Sequence, residues 1–339
     1  ILYYKMNNNL IERKQNFTLN RKIVYIDSND RDVIRFPDTN TFQISLPQTY
    51  NYVESIRLLY IQTVSNIYNI SNYLQNNILY FRNSNNNIVK ITLLDGCYNN
   101  DTLVTAIKNQ LDTNLLNISV KYSKVTNKIY FINTGISASN YMIDCTYSNI
   151  NDYNTCNNYC VFNQHSNWGL GYILGFNKKR YQFINPEKNF FLIDPPECII
   201  NTSDHNFNGH SLIEPHNIVN IYNDSHIYLS LDNLNKGDTL YPYINNKSNV
   251  NIGNVNSVFA QIPIINSDNM LNYNSNDCLL NNMSYFQPPL EKLERLNIRF
   301  TYHNGMPVEF KNTNIVMTLE INQIKNEIKN YDVRTPFTI

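Results

Sequence analysis

Two cysteines separated by three residues, Cys156 and Cys160, are followed closely by His165. Thiolates and imidazoles are the ligands that structural zinc prefers, and its cysteine pairs stand about two to four residues apart. A fourth ligand would have to come from a distant residue, and the candidates are Cys198, His205, His210 and His216. Because no second tight pair completes the pattern, we expect partly buried free thiols and no bound metal.

The histidines at positions 205, 210, 216 and 226 are the other group whose side chains could do chemistry. Their spacing is irregular, which is typical of polar loop residues, whereas a catalytic metal would need several of them to converge. The sequence also contains no glycine-rich phosphate loop, no nucleophile elbow and no HExxH run. We therefore predict no catalytic, cofactor-binding or metal-binding residues, and no enzyme activity.

Charge and composition narrow the classes of partner. The 339 residues carry 27 basic and 27 acidic side chains, so the basic excess of a duplex-binding protein is missing. Asparagine makes up nearly a fifth of the chain, which favours turns, caps and loops. No apolar run approaches the length of a membrane span. We expect a protein that binds other proteins and no nucleic acid.

Residues 21–61 contain three predicted strands joined by short turns, at 23–26, 42–46 and 53–61. Phe42, Ile44 and Leu46 alternate with polar residues, which is the pattern of a half-buried strand. Pro47 is predicted to end that strand because proline has no N–H to donate. In the third strand, Val53 is predicted to share a face with residues 55, 57 and 59. Since no crossover helix fits between the strands, the sheet is predicted to be antiparallel.

The rest of the chain gives further predicted strands and two helices. The strands fall at 78–81, 88–94, 118–122, 129–132, 141–145, 190–193, 218–231, 258–264, 293–302, 306–310 and 315–321. Asp101 is predicted to cap a helix that runs to Thr113 and that buries Leu103, Val104, Ile107 and Leu111. Ser166 is predicted to cap a shorter helix that ends at Gly175. Asn304-Gly305 is predicted to form a type I′ turn between the closing strands.

Three stretches resemble one group of virus proteins. The first reads D-S-x-D-R-D…F-P…N-x-F-x-I-x-L-P…V-x-S-I-R-L over residues 27–58, and the second is L-G-Y-I-L-G-F at 170–176. The third reads L-E-x-L-x-I-R-F-x-x-x-x-G-x-P-x-x-F over residues 293–310 and ends in L-E-I at 319–321. In this order and spacing the chain resembles the minor capsid proteins of large nucleocytoplasmic DNA viruses, giant-virus proteins related to single jelly-roll penton proteins.

The resemblance implies a mainly β fold, an antiparallel jelly-roll sandwich with an inserted α+β subdomain. The expected parts are an N-terminal arm (1–20), the sandwich (21–94 plus 217–321), an insertion with short helices and long loops (95–216) and a C-terminal tail (322–339). The first and last strands would be neighbours. Two separate sandwiches in tandem are the alternative architecture. Residues 168, 173, 174 and 176 of the second stretch are expected to be packing residues.

The resemblance also implies a function. The chain would be a structural protein of a large icosahedral DNA virus, a minor capsid component that binds and cements capsomers. Its partners would be the major capsid protein, other minor capsid proteins, further copies of itself and the internal viral membrane, which the basic residues 178–180 could contact. It would assemble in the host cytoplasm and reside in the virion capsid.

Two other functions stay open at this stage. The first is a penton protein, which would fill the five-fold vertex and assemble as a pentamer. The second is a lectin-like attachment domain or a glycan-acting enzyme. A glycan-acting enzyme would be expected to place acidic residues in a cleft and to carry more tryptophan than the single Trp168 of this chain.

Overall fold

The computed structural model describes residues 18–63, 67–134, 141–153, 168–183, 211–221, 224–240, 255–265, 270–275 and 282–325. The chain is mainly β, and every strand pairing is antiparallel. The strands are β1 (Thr18–Asp27), β2 (Thr41–Thr63), β3 (Ile78–Asn83), β4 (Ile88–Thr92), β5 (Ile118–Ser123), β6 (Lys128–Asn133), β7 (Tyr141–Asp144), β8 (Arg180–Gln182), β9 (Leu212–Ile213), β10 (His226–Leu231), β11 (Gly237–Leu240), β12 (Val255–Val258), β13 (Ala260–Ile265), β14 (Met270–Asn274), β15 (Met283–Thr301) and β16 (Ile315–Lys325). The α-helices are α1 (Asn100–Thr113) and α2 (Leu170–Ile173).

The main sheet contains seven strands in the order β1, β16, β2, β14, β13, β10, β15. Because β15 also pairs with β2, five of these strands close into a barrel-like ring, and β16 and β1 extend it on the other edge of β2. Its interior is apolar, with fully buried side chains such as Phe42, Ile56, Tyr273, Phe300 and Met317. The first and last of the described strands are neighbours, as predicted.

Pro47 does not end a strand, so that prediction is wrong. The two strands predicted at 42–46 and 53–61 are a single strand, β2, of 23 residues. Against β15, Tyr50 pairs with Leu293 and Ser45 pairs with Arg295, so residues 46–49 bulge out of the ladder. Proline is tolerated there because a bulge leaves its residues without ladder hydrogen bonds.

Two further bulges change which residues of β2 face the core. Against β16, one extra residue lies between Val53 and Ser55 and another between Leu58 and Tyr60. Each extra residue reverses the alternation. The buried apolar residues of this segment are therefore Val53, Ile56, Leu58 and Ile61. The two faces predicted from strict alternation are wrong.

A second apolar cluster is built by residues between Ile70 and Ile221. It brings together helix α1, a sheet in the order β4, β3, β7, β8 and a sheet in the order β5, β6, β9. Strands β3 and β4, which we expected within the sandwich, contribute Leu79, Phe81 and Ile91 to this cluster. β7, predicted as a third strand beside β5 and β6, pairs instead with β3 and β8.

Helix α1 confirms most of its prediction. It buries Leu103, Ile107 and Leu111, while Val104 is half-buried. Its N-cap is Asn99 rather than Asp101, because the Asn99 side chain accepts from the Thr102 N–H and the Thr102 hydroxyl accepts from the Asn99 N–H. Asp101 lies in the first turn, where its charge still suits the helix dipole.

The closing turn differs from the prediction. Gly305 has a positive φ of 82° but Asn304 does not, so the turn is not type I′. The Gly305 N–H donates to the Tyr302 carbonyl and the Tyr302 N–H donates to the Met306 carbonyl. This is a three-residue loop, a turn followed by a left-handed glycine. The segment after it forms one bridge, Thr301 with Pro307, before β16 begins.

Other loop and strand predictions have mixed outcomes. Between 218 and 231 the strand begins only at His226, although Val219 and Ile221 are buried. Residues 233–254, for which no strand is predicted, contain β11, which pairs with β12 directly after them. Strand β1 starts at Thr18, within the predicted arm, and β16 continues to Lys325, within the predicted tail. The strand predicted at 190–193, and Ser166, lie outside the described residues.

Helix α2 joins the two clusters. Leu170, Ile173, Leu174 and Phe176 are buried in the second cluster, as their packing role predicted. The indole of Trp168 packs against the first cluster and donates from Nε1 to the Leu74 carbonyl at 2.6 Å. The helix stops at Gly175, which has the predicted left-handed conformation with φ of 90°.

Replacing Gly175 by alanine is expected to destabilise the chain. The left-handed conformation alone costs about 1–2 kcal/mol, and an added Cβ would lie 2.2 Å from the Asn217 carbonyl oxygen. The matched control is Gly96→Ala, because the nearest atom to that Cβ would be Tyr98 Cε2 at 3.5 Å and the φ of Gly96 is not positive. Urea denaturation should show a large loss for the first variant only. Equal losses would contradict the account.

Candidate interaction surface

The outward face of strand β1 presents three apolar side chains to solvent, with the charged Arg21 among them. Its inward residues Val24 and Ile26 are buried, whereas Leu19, Ile23 and Tyr25 on the outward face are 44%, 45% and 78% exposed. We call these three residues the outer stripe. Among the described residues β1 pairs only with β16, so its other edge offers unpaired backbone N–H and C=O groups. An exposed apolar stripe on a sheet edge is typical of a surface that another chain covers.

A buried carboxylate supports this face from the middle strand. Glu320 on β16 is 7% exposed, and its Oε2 lies 2.8 Å from a guanidinium nitrogen of Arg57 on β2 and 2.8 Å from one of Arg21 on β1. Its Oε1 accepts from Asn322, whose amide also donates to the Ser55 hydroxyl. The three strands are therefore linked by side chains as well as by their ladders.

The environment of Glu320 keeps it ionised. Burial by itself raises the pKa of this carboxyl, but hydrogen bonds from Asn322 and Arg57 and the charges of Arg57 and Arg21 outweigh burial and lower the pKa below its ordinary value. A carboxylate whose pKa is lowered on folding stabilises the fold above its unfolded pKa of about 4.3. That contribution is lost as the pH falls through the lower, folded value.

Replacing Glu320 by glutamine is expected to cost about 1–3 kcal/mol at pH 7, since two charge-assisted hydrogen bonds are lost. The difference from the wild-type chain should shrink as the pH falls below the unfolded pKa of about 4.3 and disappear below the lower folded pKa, where the wild-type carboxyl is also neutral. Glu294→Gln is the control, because the Glu294–Lys292 pair is exposed on both sides and should contribute little. Urea denaturation at several pH values measures both. A Glu320 effect that is independent of pH would contradict this interpretation.

Most of the candidate zinc ligands lie outside the part of the chain that the structure describes. These are Cys156, Cys160 and His165, together with Cys198, His205 and His210. In the part of the chain that is described, no three metal-ligating side chains converge. The ring of His216 packs against Tyr181, and the Nδ1 of His226 is hydrogen-bonded to the Ser225 hydroxyl. Within these same ranges no helix is long and apolar enough to cross a bilayer.

Of the cysteines described, Cys97 is exposed and its Sγ donates to the Ile67 carbonyl at 3.2 Å, whereas Cys145 is buried; neither forms a disulfide. Burial, followed by the nearby charge of Asp144, raises the pKa of the Cys145 thiol to about 12. At neutral pH this thiol stays protonated and unreactive. Its sulfur packs under helix α2, close to Gly171.

The basic residues 178–180 do not form a uniform patch. Arg180 Nε lies 3.2 Å from the Asp144 carboxylate, which also accepts from Arg82 Nε at 2.8 Å. Burial alone would raise the pKa of Asp144, but hydrogen bonds from Thr146 and Arg82 and the charge of Arg180 lower it overall. Arg180, which is 55% exposed, thus links β8 to β7 and, through Asp144 and Arg82, to β3.

One cleft has a volume of about 420 Å³ and lies between the hairpin β11–β12 and strands β10 and β13. Tyr228 and His303 meet in it, with the Tyr228 hydroxyl 3.4 Å from His303 Nδ1. Asp238 supplies the single carboxylate among its described lining residues. Hydrolysis of a glycosidic bond ordinarily needs two carboxyl groups, so these residues do not make up that kind of active site.

No protein-family model matches the chain, and no curated protein matches it. Two solved structures are similar over most of its length. The mavirus penton protein is 12% identical, with a TM-score of 0.42, over 91% of this chain and 100% of the penton chain. A chain from the structure of the Sputnik virophage is 13% identical, with a TM-score of 0.38, over 92% of this chain and 99% of that one. Similarity at this level carries no argument about what the chain binds, which has to come from its own residues.

Sequence reasoning missed the outer stripe and its support. Residues 23–26 are a continuous apolar run, so the sequence does not show which of them face the core and which face outward. The partners Arg57 and Glu320 are 263 residues apart, and nothing local signals their contact. Their strands had to be known to be neighbours first.

Proposed function

We propose that the chain is a structural component of a large icosahedral virus shell, a minor capsid component that binds and cements capsomers and catalyses no reaction. The observation that carries the proposal is the outer stripe, an apolar row on a sheet edge that ion pairs with Glu320 hold in place. Covering such a face with another protein stabilises the complex, because burial of apolar surface contributes about 25 cal/mol per Å².

The three stretches that resemble capsid proteins come together in space, which supports the proposal. The first supplies the last residue of β1 and most of β2, and the third supplies the end of β15 and the middle of β16. These four strands pair with one another. The second stretch is helix α2 with its flanking residues, next to the contact between Trp168 and the first cluster.

We further propose that residues 21–94 and 217–321 form a jelly-roll sandwich and that residues 95–216 are its insertion. The antiparallel ring and the contact between the first and last described strands support this arrangement. The position of β3 and β4 in the second cluster favours moving the boundary of the insertion to about residue 70.

The proposed partners are the major capsid protein and other minor capsid proteins, in a virion capsid assembled in the host cytoplasm. Balanced charge argues against nucleic acid as a partner. Contact with the internal membrane through residues 178–180 is less favoured, because Arg180 is paired with Asp144.

The test uses virus particles made with variant chains. Replacing Ile23 and Tyr25 together by serine should lower the amount of chain per major capsid protein by about tenfold or more, because two contact side chains are lost. Leu94→Ser is the control, since Leu94 is 81% exposed and lies outside the stripe. Quantitative mass spectrometry of purified particles measures both.

Absence of the wild-type chain from purified particles would contradict the proposal. Normal incorporation of the double variant would remove the outer stripe from the interface. Native mass spectrometry of the isolated chain separates the remaining alternative, because a stable pentamer would favour the penton role over the cementing role.

A further inference from the structure

The loop between β1 and β2 is held by a buried arginine. Arg31 is 9% exposed, and its guanidinium donates three hydrogen bonds to backbone carbonyls of the same loop. Nε donates to Phe36 at 2.9 Å, and the two terminal nitrogens donate to Ser28 and Pro37 at 2.8 Å each. We call residues 28–37 the arginine-anchored loop. A planar guanidinium with three fixed acceptors leaves this loop one conformation.

Hydrogen bonds to Asp32 order the apex of the loop. Its Oδ1 accepts from the N–H of Ile34 at 3.1 Å and from that of Arg35 at 3.2 Å. The N–H of Phe36 donates to the Asp32 carbonyl at 2.7 Å. The base is fixed as well, because the Ser28 hydroxyl accepts from the N–H of Ile315 at the start of β16.

The apex presents two aliphatic side chains. Ile34 is 98% exposed and Val33 is 55% exposed. A single exposed apolar residue is ordinary in a folded protein. Here, however, a β-branched pair with few rotamers stands on a backbone that is already ordered. Preorganisation of this kind lowers the entropic cost of binding, so the apex is suited to insert into a pocket.

The charges around the apex indicate the character of that pocket. Asp30, Asp32 and Asp38 are exposed acids on or beside the loop. Arg35 is the exposed base among them, and its guanidinium lies over the Phe36 ring at 5.2 Å. Among the exposed side chains three acids stand against one base, and with the buried Arg31 the local net charge is still negative, which favours a partner with basic residues around an apolar pocket. The same negative charge disfavours a membrane surface, since anionic headgroups would be repelled.

We propose that the arginine-anchored loop inserts Ile34 into an apolar pocket with a basic rim on a neighbouring shell protein. The inference rests on the proposed capsid function and adds a second contact, separate from the outer stripe. Ile34 is the anchor, Val33 packs at the mouth of the pocket, and the loop carboxylates pair with lysine or arginine side chains around it.

The role of Ile34 as the anchor is tested with virus particles made with the Ile34→Asn variant of the chain. We expect the amount of chain per major capsid protein to fall by about tenfold or more, because the buried aliphatic contact is lost. Leu115→Asn is the matched control. Leu115 is 83% exposed and has a positive φ of 53°, which asparagine tolerates. Both variants should keep the thermal midpoint of the wild-type chain.

The outcomes separate the two proposals. If the wild-type chain is absent from particles, the capsid function fails. If the wild-type chain is present and Ile34→Asn is incorporated as well as Leu115→Asn, the anchor inference is overturned and the capsid function stands.

A photo-reactive residue at position 34 identifies the pocket in assembled particles. Crosslinks to a shell-protein peptide that contains apolar residues beside lysine or arginine would support the inference. Crosslinks to lipid, to an acidic protein surface or to nothing would overturn it.

Discussion

Strand β2 is the constraint on which the rest of the structure depends. It runs for 23 residues and uses both edges, pairing with β16 on one side and with β14 and β15 on the other. Three bulges interrupt its ladders, and the one-residue bulges change which side chains face the core. Because those bulges fix which residues face inward, they also fix the outward face on which Arg57 meets Glu320.

The outward face follows from that arrangement. Its middle strand carries polar residues that satisfy one another, and its edge strand carries the outer stripe. A carboxylate shared by two arginines orients those strands through directional bonds, while the apolar residues beside it supply the contact area. The arginine-anchored loop follows the end of β1. There the buried guanidinium of Arg31 orders the backbone that presents the exposed side chain of Ile34.

Local patterns predicted local structure well and long-range structure poorly. The apolar spacing in α1 correctly predicted its buried face, and Gly175 correctly predicted a left-handed residue. Both features depend on atoms that are near in sequence. Pro47 misled because a bulge, which depends on the partner strand, removed the need for its N–H. The type I′ turn predicted at Asn304-Gly305 was wrong because this dipeptide is compatible with several types of turn. The Arg57–Glu320 pair could not be predicted at all without the strand order.

The central claim is that the outer face of β1 is covered by another protein in an assembled shell. A density map of the particle at side-chain resolution tests it most directly. The account predicts that Leu19, Ile23 and Tyr25 lie against a neighbouring shell protein and that the free edge of β1 is no longer open to solvent. Density that shows the chain in the shell with this face bare would contradict the account.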